Sequence, residues 1–217
     1  MNHTGLQTAM AHCGLIAILR GIQPQEAEDI GNELYAAGFR LIEVPLNSPD
    51  PLASIRAMRA ALPTDCLIGA GTVLDPDDCA RVQDAGGELI VMPHSDAAVI
   101  RAAKKLGMAS CPGVATPTEA FAALAAGADV LKMFPAEQLG PNVLRAWRAV
   151  MRAPIALVPV GGITPDNLSD FARAGASGFG LGSALYKPGL TATEVGQNAR
   201  AFAAAWQRAY SAQETQA

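Results

Sequence analysis

Ala126-Gly127-Ala128-Asp129-Val130-Leu131-Lys132-Met133-Phe134-Pro135 holds the joint from which the fold is read. The glycine follows an alanine-rich segment and supplies the left-handed conformation that ends a helix. An apolar run broken only by a lysine comes next, and a proline closes it. The same order returns along the chain. Ala37-Gly38, Ala85-Gly86, Leu106-Gly107 and Ala174-Gly175 each precede an apolar run, and three further runs end in Pro45, Pro93 and Pro112. The pattern is a βα unit repeated roughly every 22 to 25 residues.

Eight runs fit the pattern: Leu15–Leu19, Leu41–Pro45, Leu67–Ala70, Leu89–Met92, Met108–Cys111, Val130–Phe134, Ala156–Val160 and Gly178–Leu181. None alternates cleanly between apolar and polar residues, as expected of parallel strands covered on both faces. The segments between them are helical. Ala27, Ile30 and Leu34 fall on one helix face behind Pro24, a first-turn proline. Asp75-Pro76 and Thr164-Pro165 pair a capping side chain with such a proline, and Thr116-Pro117-Thr118-Glu119 reads as a capping box. Eight units predict an α/β fold, a single (β/α)8 TIM barrel over residues 1–217. An amino-terminal helix near Leu6–Cys13, within a capping segment 1–14, closes one mouth. The barrel spans 15–212, ends in a helix over Ala192–Ser211, and leaves a tail, 213–217. The competing fold, an open doubly wound sheet, lacks the GxGxxG expected after its first strand.

Composition narrows the function. Half of the 217 residues are hydrophobic and the net charge is −4, without any basic run. A nucleic-acid partner is therefore not expected. No basic leader with an apolar core and no 18-residue apolar span is visible, which predicts a cytoplasmic protein without a membrane partner. Cys13, Cys66, Cys79 and Cys111 form no CxxC and read as reduced core residues. His3, His12 and His94 show neither HxH nor HExxH, so no metal site is expected.

In such barrels chemistry collects at the carboxyl ends of the strands. Those ends hold Arg20, Glu43, Gly71-Thr72, Pro93, Pro112-Gly113 and Lys132. Strand alternation puts Ile18 with Arg20, Leu41 with Glu43, and Val130 with Lys132 and Phe134, so one register turns every ionisable group inward. A lysine buried this way has a lowered pKa and can attack a carbonyl to form a Schiff base. Its alternatives are a lysine snorkelling to solvent and a buried ion network that only fixes geometry. The last two strands run into Gly161-Gly162 and Gly182-Ser183, glycine turns whose N–H groups can converge on a phosphate. Lys187 either assists there or faces solvent; His94 lies at the rim. Lys104 and Lys105 beside Arg101 read as a solvated helix face, and Trp147 and Trp206 as packing residues.

Taken together, Ile16-Ala17-Ile18-Leu19-Arg20-Gly21, Ile42-Glu43-Val44-Pro45-Leu46-Asn47-Ser48-Pro49, Ile68-Gly69-Ala70-Gly71-Thr72-Val73, Leu131-Lys132-Met133-Phe134-Pro135 and Val160-Gly161-Gly162-Ile163 closely resemble the class I aldolases that act on 2-keto-3-deoxy-6-phosphosugar acids. The resemblance implies Lys132 as the Schiff-base lysine and Glu43 as the proton-shuttling carboxylate. It implies Arg20, Thr72, Gly71 and Pro93 around the pyruvate carboxylate, and Gly161, Gly162, Gly182 and Ser183 around the phosphate. The implied ligands are a phosphorylated 2-keto-3-deoxy sugar acid and its products, pyruvate and glyceraldehyde 3-phosphate, with no cofactor and a homotrimeric assembly. Members cleaving the gluconate-derived substrate carry an arginine-threonine pair after the strand-two motif and a threonine before the strand-seven Gly-Gly. Asn47-Ser48 and Val160 stand there in this chain and resemble the galactonate branch, which makes them candidate specificity residues. The alternatives are preference for the gluconate epimer or for 4-hydroxy-2-oxoglutarate. More distant are a sugar-phosphate isomerase or epimerase, using Glu43 as base without a covalent adduct, and a non-catalytic phosphosugar binder.

Overall fold

Every strand runs parallel to its neighbours, and the first pairs with the last. In the computed structural model, which describes residues 3–214, these are β1 (Leu15–Ile18), β2 (Leu41–Pro45), β3 (Leu67–Gly71), β4 (Leu89–Val91), β5 (Ala109–Cys111), β6 (Gly113–Val114), β7 (Val130–Met133), β8 (Ala156–Pro159) and β9 (Phe179–Leu181). One sheet runs β5-β4-β3-β2-β1-β9 and another β6-β7-β8, and a parallel bridge from Val160 to Gly180 joins them. Ile16 faces Leu41 on one side and Gly180 on the other, so the sheet closes and the open doubly wound alternative falls. The fifth predicted run, Met108–Cys111, appears as β5, and its barrel strand continues beyond the predicted end as β6; the two are separated at Pro112, which has no N–H for the ladder. Its carbonyl still accepts from Lys132 N at 2.9 Å, while Cys111 O accepts from Met92 N at 3.1 Å. The fifth barrel strand thus holds β4 with its first half and β7 with its second.

Side chains follow the pleat. Ile16, Leu41, Leu67, Leu89, Val130 and Val158 fill the barrel interior, whereas Ile42, Val44, Ile68, Ile90, Leu131 and Leu157 point outward into the helical layer. Each such side chain, buried completely or nearly so, contributes about 1.5–3 kcal/mol. After α1 (Thr4–His12), that layer is built from α2 (Pro24–Ala36), α3 (Pro51–Ala61), α4 (Pro76–Asp84), α5 (Ala97–Lys105), α6 (Pro117–Ala126), α7 (Ala136–Arg148), α8 (Leu168–Arg173) and α9 (Ala192–Glu214). Two of the expected caps are in place: Asp75 accepts from Asp77 N, and Thr116 and Glu119 form a reciprocal capping box on α6. The third is not: Thr164 bonds with Asn167 in a turn ahead of α8, where Asn167 holds the cap position without a side-chain cap bond. α7 is kinked at Gly140 (φ 72°), just before Pro141.

α1 closes the amino-terminal mouth, where Leu6 and Ala9 join the interior cluster. His3 Nδ1 accepts from Leu6 N at 3.1 Å and caps the helix, while His3 N donates to Asp129 Oδ1 at 3.2 Å. Asp129, with a side chain only 3% exposed, also binds Lys104 Nζ at 2.6 Å and Ser110 N at 2.9 Å. Lys104 is therefore part of a buried clasp and not of the solvated face expected of it; Lys105 remains exposed. All four cysteines are free and buried. Trp147 packs into the core, and Trp206 stacks on Tyr210 and meets Phe179 edge-on. Residues 213 and 214 of the expected tail finish α9, and residues 1–2 and 215–217 lie outside the described residues. Among the described residues no helix is long and apolar enough to cross a membrane.

Candidate active site

At the carboxyl end of the barrel a cavity of about 280 Å³ opens between the ends of β1, β7, β8 and β9. Lys132 lies in its wall, 6% exposed, on the inward face of β7 with Gly113 and Val158 as register partners. Its Nζ stands 4.8 Å from the centre of the Phe134 ring. Glu43 reaches into the barrel from β2, 1% exposed, between Ile18 of β1 and Gly69 of β3. A Cβ on Gly71 would overlap the Glu43 carboxylate, so a side chain there would push the acid out of its place.

Both groups are taken out of water without an ion pair to compensate among the described residues. Burial lowers the Lys132 pKa; Glu43 and the Cys111 thiol oppose the shift, and Arg20 adds to it. Burial likewise raises Glu43 to about 7, against the pull of Lys132 and Arg20. Glu43 Oε2 is buried with no hydrogen-bond partner among the described residues. An amine inclined to be neutral thus lies within electrostatic reach of a carboxyl able to hold or release a proton near neutrality, although Glu43, unlike Lys132, is not one of the residues lining the cavity. Cys111, pushed up to about 12 by burial, remains a thiol.

Arg20 lines the cavity and is aimed from below. Its Nη1 donates to Asn47 Oδ1 at 2.6 Å and its Nη2 to Thr72 Oγ1 at 3.3 Å, which leaves the rest of the fork for a carboxylate. Thr72 holds this place in the left-handed region at φ 54°, a conformation that costs a β-branched residue on the order of 1–3 kcal/mol. Ser48 is 8% exposed and its Oγ accepts from Gly21 N at 2.9 Å, tying the loop after β2 to the loop after β1. Asn47 and Ser48 thus act on their neighbours' positions, and neither lines the cavity. Gly71 and Thr72 also stand behind it, whereas Pro93 lies in its wall. Val160 forms an apolar wall beside Gly180, where a Cβ would meet Val160 Cγ2 at 2.5 Å.

The opposite wall carries the two glycine turns. Gly161 (φ 105°) and Gly162 (φ 67°) take conformations that favour glycine. Asn167 fixes this turn: its Nδ2 donates to Gly162 O at 2.8 Å and its Oδ1 accepts from Thr164 N at 2.9 Å. After β9, Gly182 O accepts from both Leu185 N and Tyr186 N, forming a helical turn whose first N–H groups have no partner within the turn. Gly182 and Ser183 line the cavity; Lys187 and His94 are exposed and do not. Sequence reasoning missed Glu137 and Asn167. Glu137, in the first turn of α7, also lines the cavity. An acid at a helix start reads as a dipole partner, so no local signal marked it.

The family model for KDPG and KHG aldolases matches residues 6–200. The chain belongs to this aldolase family. It is 50% identical over 200 residues to the probable 2-dehydro-3-deoxy-6-phosphogalactonate aldolase of Rhizobium meliloti, covering 92% of this chain and 94% of that relative. With the 2-dehydro-3-deoxy-6-phosphogalactonate aldolase of Escherichia coli it shares 47% identity, over 90% of this chain and 95% of the relative. A solved structure described as native KDPGal superposes with a TM-score of 0.89 at 47% identity, across 91% of this chain and 96% of the other.

Proposed function

We propose that this family member is a Schiff-base aldolase that cleaves 2-dehydro-3-deoxy-6-phosphogalactonate to pyruvate and glyceraldehyde 3-phosphate. The observation that carries the mechanism is the desolvated pair Lys132 and Glu43, in which burial favours amine over ammonium and carboxylic acid over carboxylate. Neutral Lys132 attacks the C2 ketone, and Glu43 supplies the proton with which the carbinolamine hydroxyl departs as water. The iminium left behind draws electrons. Glu43, now ionised, takes the C4 hydroxyl proton as the C3–C4 bond breaks; C4 leaves as the aldehyde and the bonding pair enters the enamine. Protonation at C3 and hydrolysis release pyruvate and restore Lys132.

Arg20, aimed by Asn47 and Thr72, pairs with the C1 carboxylate beside Pro93, and its charge favours the neutral amine. The turns at Gly161-Gly162 and Gly182-Ser183 hold the phosphate, so binding far from the breaking bond orients it. The likeness to two relatives named for the galactonate substrate, together with Val160 in the cavity wall, supports that epimer. A homotrimer working in the cytoplasm is the setting implied by the family resemblance and the sequence.

Incubation with pyruvate and borohydride, followed by peptide mapping, tests the reading. The expected product is a reduced adduct on Lys132 that disappears in Lys132→Ala. A folded protein that turns over the sugar acid without forming an adduct would overturn it and favour an isomerase or epimerase.

A further inference from the structure

Glu137 stands in the cavity wall, and no step of the reaction above uses it. It is the sole carboxylate among the lining residues, and it follows closely on the strand that carries Lys132. Its side chain lies across the Gly161-Gly162 turn. A Cβ built on Gly162 would stand 2.8 Å from both Cβ and Oε2 of Glu137, and one on Gly161 would stand 3.4 Å from Oε2. The α7 dipole stabilises a carboxylate at this place but does not explain why it leans over the phosphate turn.

A carboxylate beside a phosphate cradle repels the ligand it should help to hold, so its presence asks for a donor on that ligand. An ionised carboxylate can only accept hydrogen bonds. On the proposed substrate the carboxylate and phosphate are acceptors, and the C4 hydroxyl goes to Glu43. The C5 hydroxyl remains, on the carbon next to the one that bears the phosphate. We propose that Glu137 accepts a hydrogen bond from the C5 hydroxyl and makes the enzyme discriminate against aldehydes that lack it. This assignment rests on the aldolase reading. In the products the same contact falls on the hydroxyl of glyceraldehyde 3-phosphate, because C5 becomes its middle carbon.

The test runs the reaction in the direction of condensation. Wild type, Glu137→Ala and Glu137→Gln are each given pyruvate with glyceraldehyde 3-phosphate or with 3-phosphooxypropanal, its analogue without the hydroxyl. Glu137→Ala should lower kcat/KM for glyceraldehyde 3-phosphate by roughly 10- to 100-fold, the effect of losing a charge-assisted hydrogen bond. It should leave the analogue level or improved. Glu137→Gln, whose amide oxygen still accepts, should fall between. Equal change with both aldehydes, in either direction, overturns the assignment, because a role in helix stability or in plain repulsion would move both alike. Exchange of the pyruvate methyl protons for deuterium by wild type separates the two levels. Without exchange the aldolase reading itself falls; with exchange and an unchanged aldehyde ratio, only the role of Glu137 does.

Discussion

At the amino-terminal end of the barrel Lys104 and Asp129 meet at 2.6 Å, and Asp129 takes two further backbone N–H groups. At the carboxyl end Lys132 and Glu43 are buried more deeply, yet they form no ion pair among the described residues and Glu43 Oε2 has no partner there. The same two kinds of side chain serve opposite ends because their hydrogen bonding differs. Asp129, bound on several sides, stitches α1, α5, β5 and β7 together. For Glu43 and Lys132 desolvation outweighs their mutual attraction, so their charged forms are disfavoured and their protons are free to move.

The most severe way to break this contrast is Lys132→Met, which should remove aldol cleavage altogether while leaving the urea midpoint equal or higher, since a buried amine has been replaced by an apolar chain of similar length. Glu43→Gln should lower kcat by roughly 10²- to 10⁴-fold, as expected for loss of a general acid and base, with no loss of stability. Asp129→Ala should do the reverse. It strands Lys104 and two N–H groups, costing about 3–5 kcal/mol in urea unfolding, while kcat/KM of the folded fraction changes little.

The pH dependence sharpens the comparison. Glu43 binds its proton more tightly folded, with a pKa of about 7, than unfolded near 4.5. Its stabilising contribution is complete below the unfolded value and is lost as pH rises through the folded one. Glu43→Gln should therefore gain stability relative to wild type between about pH 4.5 and pH 7, as measured by urea unfolding across that range. A constant difference over the same range would mean that Glu43 is ionised in the native state. The smallest effect expected is on specificity: Val160→Thr adds a hydroxyl to the apolar wall and should shift the epimer ratio toward the gluconate substrate by up to roughly 10²-fold.

Much of this was legible in the chain because burial on both faces leaves a plain mark. Apolar runs between glycine-ended helices located the strands, and ionisable residues inside those runs or at their ends located Glu43, Lys132 and Arg20. The inward register followed from alternation alone. What stayed hidden depends on contacts between loops. Asn47 and Ser48 were singled out for specificity, but their side chains hold Arg20 and Gly21. Lys104 looks solvated in sequence because its partner, Asp129, lies 25 positions away across the fold. The split at Pro112 was equally unmarked, since proline also ends three intact runs.

Pairing of β1 with β9 has a consequence for the chain as it is made. Leu15–Ile18 are made long before one of their two partners, Phe179–Leu181. Until then the nascent protein keeps an open row of amides and carbonyls along β1, the kind of margin on which other strands add. A chain stopped before residue 179 would lack that partner together with the Gly182-Ser183 turn, and would gather as incomplete, adhesive intermediates.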